Sequence, residues 1–310
     1  MPLHAAPASS PHSLHVNART LAGIGLLLAA VACFAVLDTT TKRVTAGVPL
    51  LMAVWARYFF QALVASALIL PKKGLAVLKT DNLGMHITRG ALLMVVTLLA
   101  FSSLHVMPVG EFTAIVMTTP LLVTLLAARL LGEYVSPMRV ALVVGGFAGT
   151  AIIVRPGGGA LDFYSWHMLL PLGMVLANAS FQLLTSKMSR TEAAMTTQFY
   201  TSWVGALLAS IPLYWFWTSI DDPALWLGLL LMGVAGAAGH MLMIMAFERA
   251  PAATLMPYMY LQIGFAMLGG WFIFDHIPDH MSLIGIGLIA ACGTAGGLLT
   301  LYESRLRREP

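Results

Sequence analysis

The chain has 310 residues, of which 59% are hydrophobic and 10% charged, against about a quarter charged in a soluble domain, and its mean hydropathy is +0.84. So much apolar side chain exceeds what one aqueous core can bury, so lipid must act as part of the solvent, which argues against a soluble enzyme. The net charge of +4 comes from 17 Lys and Arg scattered between apolar runs; that distribution reads as membrane topology and not as a nucleic-acid patch.

A helix needs roughly 20 apolar residues to cross a bilayer, and the pattern predicts ten such runs, at 20–41, 49–70, 86–106, 110–131, 137–154, 165–187, 195–217, 224–247, 252–274 and 281–301. The fold class is therefore all-α, a polytopic membrane protein. Each run is about twice the length of a barrel strand and lacks its alternation. Pro71-Lys72-Lys73-Gly74, Pro108-Val109-Gly110, Pro156-Gly157-Gly158-Gly159, Asp221-Asp222-Pro223 and Pro278-Asp279 mark the connectors. Because these are short, helices adjacent in sequence are expected to be neighbours in space. Residues 1–19 and 303–310 read as tails, the first a mobile one rich in Pro, Ser, Ala and His.

Ala30-Val31-Ala32 followed by Cys33 has the form of a signal-peptide cleavage or lipidation site, but the apolar run continues past it through Phe34, Val36 and Leu37. Cys33 and Cys292 form no C-x-x-C pair and suggest neither a disulfide framework nor zinc. Thirteen Lys and Arg fall in the connectors on the side of the two termini and three (Lys42, Arg43, Arg155) on the other. By the positive-inside rule both termini are expected in the cytoplasm.

Residues 20–155 and 164–302 superpose on a shift of 142 to 145 positions: Ser103-Leu104 with Pro108 falls on Ala246-Phe247 with Pro251, Gly132-Glu133 on Phe274-Asp275, and Lys42 on Lys187. Five crossings is an odd number, so the second copy must enter the membrane inverted, which places a site near the midplane between the copies. Arg57 within Ala53-Val54-Trp55-Ala56-Arg57-Tyr58-Phe59, Pro108 twelve positions before Pro120, the Gly132-Glu133 pair and the Gly-rich fifth helix ending at Arg155-Pro156-Gly157 resemble the drug/metabolite transporter superfamily, specifically its EamA-type members with ten helices. The second copy departs from the family pattern at Gln262 and Asp275. The resemblance implies carriers of amino acids, purines, riboflavin, S-adenosylmethionine and other small organic molecules, mostly outward across the inner membrane. It also implies a central cavity lined mainly by the first, third and fourth helices of each copy.

An arginine near a helix centre costs about 2.5–3.5 kcal/mol on insertion scales, so Arg57 must face protein or water, either binding a solute carboxylate or bonding neighbouring helices. Glu111 opens the fourth helix, where a carboxylate complements the helix dipole; it is also placed to bind an amine or carry a coupling proton. Asp38, with Lys42 at i, i+4, has the same two readings. His105 and His240 are groups able to titrate during transport or simply to pack. Trp55, Asn178, Phe181, Gln182, Tyr258, Tyr260 and Gln262 are the aromatic and amide candidates for solute contact, because uncharged polar groups avoid lipid and Pro257 frees a carbonyl beside three of them. Trp215, Trp217 and Trp226 suit an interfacial belt. His276, Pro278, Asp279 and His280 read as a solvated loop and not a metal site.

No G-x-x-x-x-G-K-[ST] run supplies a nucleotide loop, so transport is expected to be secondary, with no cofactor, a small-molecule solute, the lipid bilayer and a proton as partners. The alternatives are an intramembrane enzyme, for which no G-x-S-x-G, H-E-x-x-H or second aspartate at the depth of Asp38 is present, and a lipid flippase, which would need a lateral groove.

Overall fold

A computed structural model describes residues 11–106, 115–133, 135–154, 169–274 and 280–306, and among these there is no strand. The α-helices of eight residues or more among the described residues are α1 (Pro11–Val44), α2 (Leu50–Lys73), α3 (Leu83–Val106), α4 (Thr119–Leu130), α5 (Pro137–Val154), α6 (Leu169–Met188), α7 (Ala194–Ser210), α8 (Pro223–Phe247), α9 (Ala252–Met259), α10 (Leu261–Phe274) and α11 (His280–Leu306). By length and composition α1, α2, α3, α6 and α8 can each span a membrane, and α4, α5 and α11 contain shorter apolar helices. Leu68, Leu125, Leu176, Leu227 and Leu298 are exposed on these helices, as befits a surface facing hydrocarbon. The chain is a polytopic membrane protein. Helix α1 starts at Pro11, within the segment expected to be a tail; proline is tolerated in a first turn, where its missing N–H has no partner to lose.

Helices adjacent in sequence are not the main packing partners, contrary to the expectation from short connectors. The most extensive contacts join α1 to α8, α3 to α6, α2 to α7 and α8, α3 to α7, and α5 to α11. Each of these pairs crosses from one repeat to the other. Exchanging every crossing with the one five places later leaves the pattern unchanged: α1–α8 becomes α6–α3, α2–α8 becomes α7–α3, and α2–α7 and α5–α11 map onto themselves. That is the signature of a two-fold relation between the copies, and the driving force is shape: each helix finds its complementary face on the opposite repeat.

Two glycines fix the register. A Cβ at Gly90 in α3 would lie 2.6 Å from Val204 in α7, and one at Gly233 in α8 would overlap Phe60 and lie 2.9 Å from the backbone nitrogen of Gln61 in α2. Gly90 and Gly233 are 143 positions apart, and so are Gln61 and Val204. The same close contact is therefore made twice, and only glycine allows the backbones so near. Gly149 does likewise for α5 on α11, where a Cβ would approach the Gly285 carbonyl oxygen to 2.9 Å.

The connectors sort to two ends. At one end Thr80 and Asn82 donate to the Glu192 carboxylate (3.2 and 2.7 Å), Arg190 donates to Glu133 (2.8 Å), and the Ala194 N–H donates to Glu248 (3.1 Å). At the other end Thr218 contacts the Met52 sulfur, Trp55 meets Trp217, and a Cβ on Gly47 would touch Leu225. The connector after the first helix (45–49) and its counterpart 143 positions later (188–192) thus lie at opposite ends, so the copies are inverted.

Glu192 ties the α6–α7 connector to the start of α3. Burial raises its carboxyl, but hydrogen bonds from Asn82 and Thr80 together with nearby His86 outweigh that and hold it below the ordinary carboxylate value of 4.5. Its stabilising effect is therefore complete above that value and lost as the pH falls through the lower folded-state value. We expect amide-exchange protection of 79–86 and 188–194 to drop between pH 5 and pH 3, the acid range for a carboxyl, and Glu192→Gln to flatten that drop.

Candidate functional site

The fourth and ninth crossings are broken at matching places. Residues 115–116 are helical, Met117–Thr118 form a turn, and α4 resumes at Thr119 with Pro120 in its first turn. In the ninth crossing α9 ends at Met259, Tyr260 is the break, and α10 resumes at Leu261, with Pro257 inside α9. Met117 and Tyr260 are again 143 positions apart. A proline in the ninth crossing removes an intrahelical donor and crowds the preceding turn, and broken helices in a membrane persist only where they are buried or line a cavity.

Such a cavity, of about 150 Å³, lies between the copies. Its wall is built from α1, α3 and the fourth crossing of the first copy and from α6, α8 and the ninth crossing of the second, with Arg57 reaching in from α2. Most of the surface is apolar, from residues such as Phe34, Phe101, Met174, Phe181 and Met243.

Arg57 is 4% exposed. Its Nη1 donates to Thr97 Oγ1 at 2.5 Å and its Nη2 to His240 Nε2 at 3.2 Å. Thr97 and His240 are 143 positions apart, so Arg57 bridges the two copies at equivalent points. Since guanidinium can only donate, His240 must accept at Nε2 and carry its proton on Nδ1. Thr97 also bonds Tyr58 (2.9 Å) and donates to the Leu93 carbonyl (2.9 Å), which locks the hydroxyl that holds Arg57. Asp38 sits on the same wall, its Oδ2 accepting from Gln262 Nε2 at 2.9 Å. Gln182 donates to Asn178 Oδ1 at 3.3 Å one turn away.

Of the sequence-derived candidates, Arg57, Asn178, Phe181, Gln182 and Gln262 converge on this cavity. Trp55 does not: it donates to Ser210 at 3.1 Å and stacks on Phe59 near the end of the bundle that carries Trp217. Tyr258 and Tyr260 are buried away from it. Helix periodicity turns Tyr260 toward α5, where its ring fills the space beside Gly146, and Tyr258 toward Gly296 of α11. Glu111, Asp275, the Pro108-Val109-Gly110 and Arg155-Pro156-Gly157 turns and His276–Asp279 lie outside the described residues.

Sequence reading missed Arg89, counting it among the cations of one connector. It is fully buried. Its Nε donates to Thr185 at 2.8 Å, its Nη1 to Thr201, and its guanidinium lies 4.5 Å over the Phe181 ring. The signal available was its place six residues into α3, facing the same side as Leu93 and Thr97 at helical spacing. Arg89 thus holds a cavity aromatic from behind. Replacing it with Met removes a buried charge that has no carboxylate among its bonded partners, so Arg89→Met is expected to change the unfolding free energy by no more than about 1–2 kcal/mol while raising the KM for transport several-fold; an unchanged KM contradicts the role.

Gly132 and Glu133 make sense together. Gly132 has φ +63° and follows Leu131, the residue that caps α4, and the Glu133 N–H reaches back to the Ala127 carbonyl at 3.3 Å, a left-handed helix ending that favours glycine. That turn sends the Glu133 carboxylate into the start of α9, where it accepts from the N–H groups of Ala252 (3.4 Å) and Ala253 (3.0 Å). A carboxylate there satisfies orphan donors and complements the dipole.

Comparison with known proteins agrees with this architecture. Residues 21–155 and 165–294 each match the EamA-like transporter family. The chain is 28% identical to a riboflavin transporter of Rhizobium johnstonii, over 92% of this chain and 91% of that protein. It is 28% identical to an S-adenosylmethionine uptake transporter of Rickettsia bellii (86% and 90%) and 25% identical to a pseudopaline exporter of Pseudomonas aeruginosa (86% and 94%). A crystal structure with 20% identity superposes with a TM-score of 0.76 over 91% of this chain and 98% of that one, which shows the same fold. Two inverted five-helix copies, two matches placed one on each copy and relatives aligned over nearly their whole length lead to one conclusion: the chain belongs to the EamA-like transporter family.

Proposed function

We propose that the protein is a secondary transporter that moves a small organic metabolite, an amino acid or a similar compound, by alternating access around the cavity between its two copies. The observation that carries this is the cavity itself: it is walled by matching helices of inverted repeats and lies at the two matching helix breaks. Its volume is below the roughly 300–1,000 Å³ of sites that enclose a ligand, so the halves must part to admit a solute. The end held by Glu133, Glu192 and Glu248 is the one that carries Lys72, Lys73, Lys79, Arg190 and Arg249, and we assign it to the cytoplasm. In this orientation the two repeats, 20–155 and 164–302, sit in the inner membrane with tails 1–19 and 303–310 in the cytoplasm. Arg57, Asn178, Phe181, Gln182 and Gln262 contact the solute; Glu111 and Asp38 are the carboxylates that would carry a coupling proton.

Outward movement is the direction the family resemblance favours. Among the named relatives one is an exporter and one an uptake carrier, so the assay must read both sides. An untargeted comparison of cell contents and medium between a deletion strain and an overproducer tests the proposal. A metabolite whose ratio of medium to cell content falls in the deletion strain and rises in the overproducer is the expected cargo of an exporter. No metabolite moving in opposite senses contradicts transport.

A further inference from the structure

We infer that the connector between α2 and α3, residues 72–79, is a docking surface for anionic phospholipid headgroups, and that lipid seated there holds the two copies together at that end. The surface lies away from the cavity and takes no part in solute contact. Its effect on transport rests on the alternating-access reading.

Helix α2 runs out at Lys73, Gly74 turns the chain with φ +54°, and a 3-10 helix covers Gly74–Leu78. The apolar span that begins at Leu50 ends with it, so the turn sits where hydrocarbon gives way to headgroups. Of residues 71–79 Val77 alone is buried. Leu75 is 76% exposed and Leu78 47%. They stand among exposed Lys72, Lys73 and Lys79, whose ammonium groups make no ion pair or hydrogen bond among the described residues. Exposed Asp81 offsets one of these charges and leaves two in excess. Leucines among lysines at the edge of a bilayer meet two environments at once: the apolar side chains enter the acyl boundary while the ammonium groups meet phosphodiester anions. A zwitterionic headgroup layer offers the first contact without the second, and each lysine near an anionic surface is worth about fivefold in association.

The inner side of the same connector is fastened to the opposite copy at three points. Val77 joins Ala65 and Ile69 in a cluster packed against Met195, Phe199 and Met241. Tyr200 of α7 donates its hydroxyl to the Leu78 carbonyl at 2.8 Å and stacks on His86 at 4.9 Å. Thr80 and Asn82 hold Glu192. These contacts order the turn, and the halves cannot part at this end without breaking them. A released turn would have to be ordered again before it could present its leucines and lysines together, so lipid binds the fastened form more tightly and shifts the population toward it.

The test places the purified full-length protein in nanodiscs of phosphatidylcholine alone or mixed with phosphatidylglycerol and reads amide exchange of 75–86 and 188–194. Exchange is expected to slow at least about fivefold in the anionic discs. The difference should vanish as salt approaches about 1 M, where the screening length falls to about 3 Å. The triple variant Lys72→Gln, Lys73→Gln, Lys79→Gln is expected to exchange alike in both kinds of disc, whereas Arg43→Gln, which removes an exposed cation from the opposite end, keeps the full difference. Inorganic phosphate added to the phosphatidylcholine discs is expected to change nothing. Equal exchange of the unmodified protein in the two discs overturns the inference, as does a difference that survives high salt or the triple substitution, or one lost in Arg43→Gln. Slowing by inorganic phosphate also overturns it, by identifying a soluble anion as the ligand. None of these readouts needs a solute, so the transporter reading is decided separately by the medium-to-cell comparison.

Discussion

Arg57→Ala is expected to lower solute flux in reconstituted vesicles at least tenfold, on the scale of one lost charged contact of about 1.5–3 kcal/mol, at equal amounts of inserted protein. The guanidinium joins Thr97 of the first copy to His240 of the second, so the substitution removes both a bridge between the halves and the cavity's cation. Arg57→Lys separates the two contributions. An ammonium keeps the charge but cannot span both partners in a planar fork, so it is expected to retain part of the solute binding and to lose the inter-copy bridge. Unchanged flux in Arg57→Ala would remove this residue from the mechanism.

Gly233→Val and Gly90→Val are expected to cost about 1–3 kcal/mol each in stability, the range for an overpacked core, read as a lower unfolding temperature in detergent. At Gly233 the obstruction is backbone of α2, at Phe60 and Gln61, which cannot swing aside; at Gly90 it is Val204, whose branched Cβ has little freedom. Gly25→Ala serves as the control, because a Cβ there meets nothing within 4 Å. If the two contacts are one contact made twice, the two valine variants should lose similar amounts. A large loss at one site and none at the other would mean that the copies do not share the α2–α8 and α7–α3 packing.

How much of this was legible in the sequence depends on which physical signal each feature leaves. Helix positions came through because hydrocarbon imposes long apolar runs: α5 begins and ends at the expected residues, and α8 differs by one. The inverted repeat was readable from an odd number of crossings per copy and from a shift that the glycine contacts now set at 143. Partner choice was not readable. Short connectors suggested sequential packing, yet the surfaces that fit are between copies, and only the three-dimensional shapes of Gly90, Gly233 and Gly149 reveal it. Tyr258, Tyr260 and Trp55 looked like cavity residues because composition places aromatics inside a bundle without saying which interior face they take. Arg89 failed for the opposite reason: a cation near a helix end reads as a surface charge unless its spacing from Leu93 and Thr97 is noticed. Asp38, set beside its local neighbour Lys42, bonds Gln262 across 224 positions of chain, a contact no local pattern encodes. Gly132-Glu133 was recognised as a motif, and its physical meaning, a left-handed helix end that aims a carboxylate at α9, appears only in the fold.

Everything here depends on two inverted copies enclosing one chamber, and Ala46 and Ser189 test that most directly, since they are equivalent positions 143 apart in the two copies. In a background carrying Cys33→Ala and Cys292→Ala, Ala46→Cys is expected to react with a membrane-impermeant maleimide in intact cells, and Ser189→Cys only after the cells are permeabilised. Labelling of both from the same side would contradict the inverted arrangement, and with it the shared cavity.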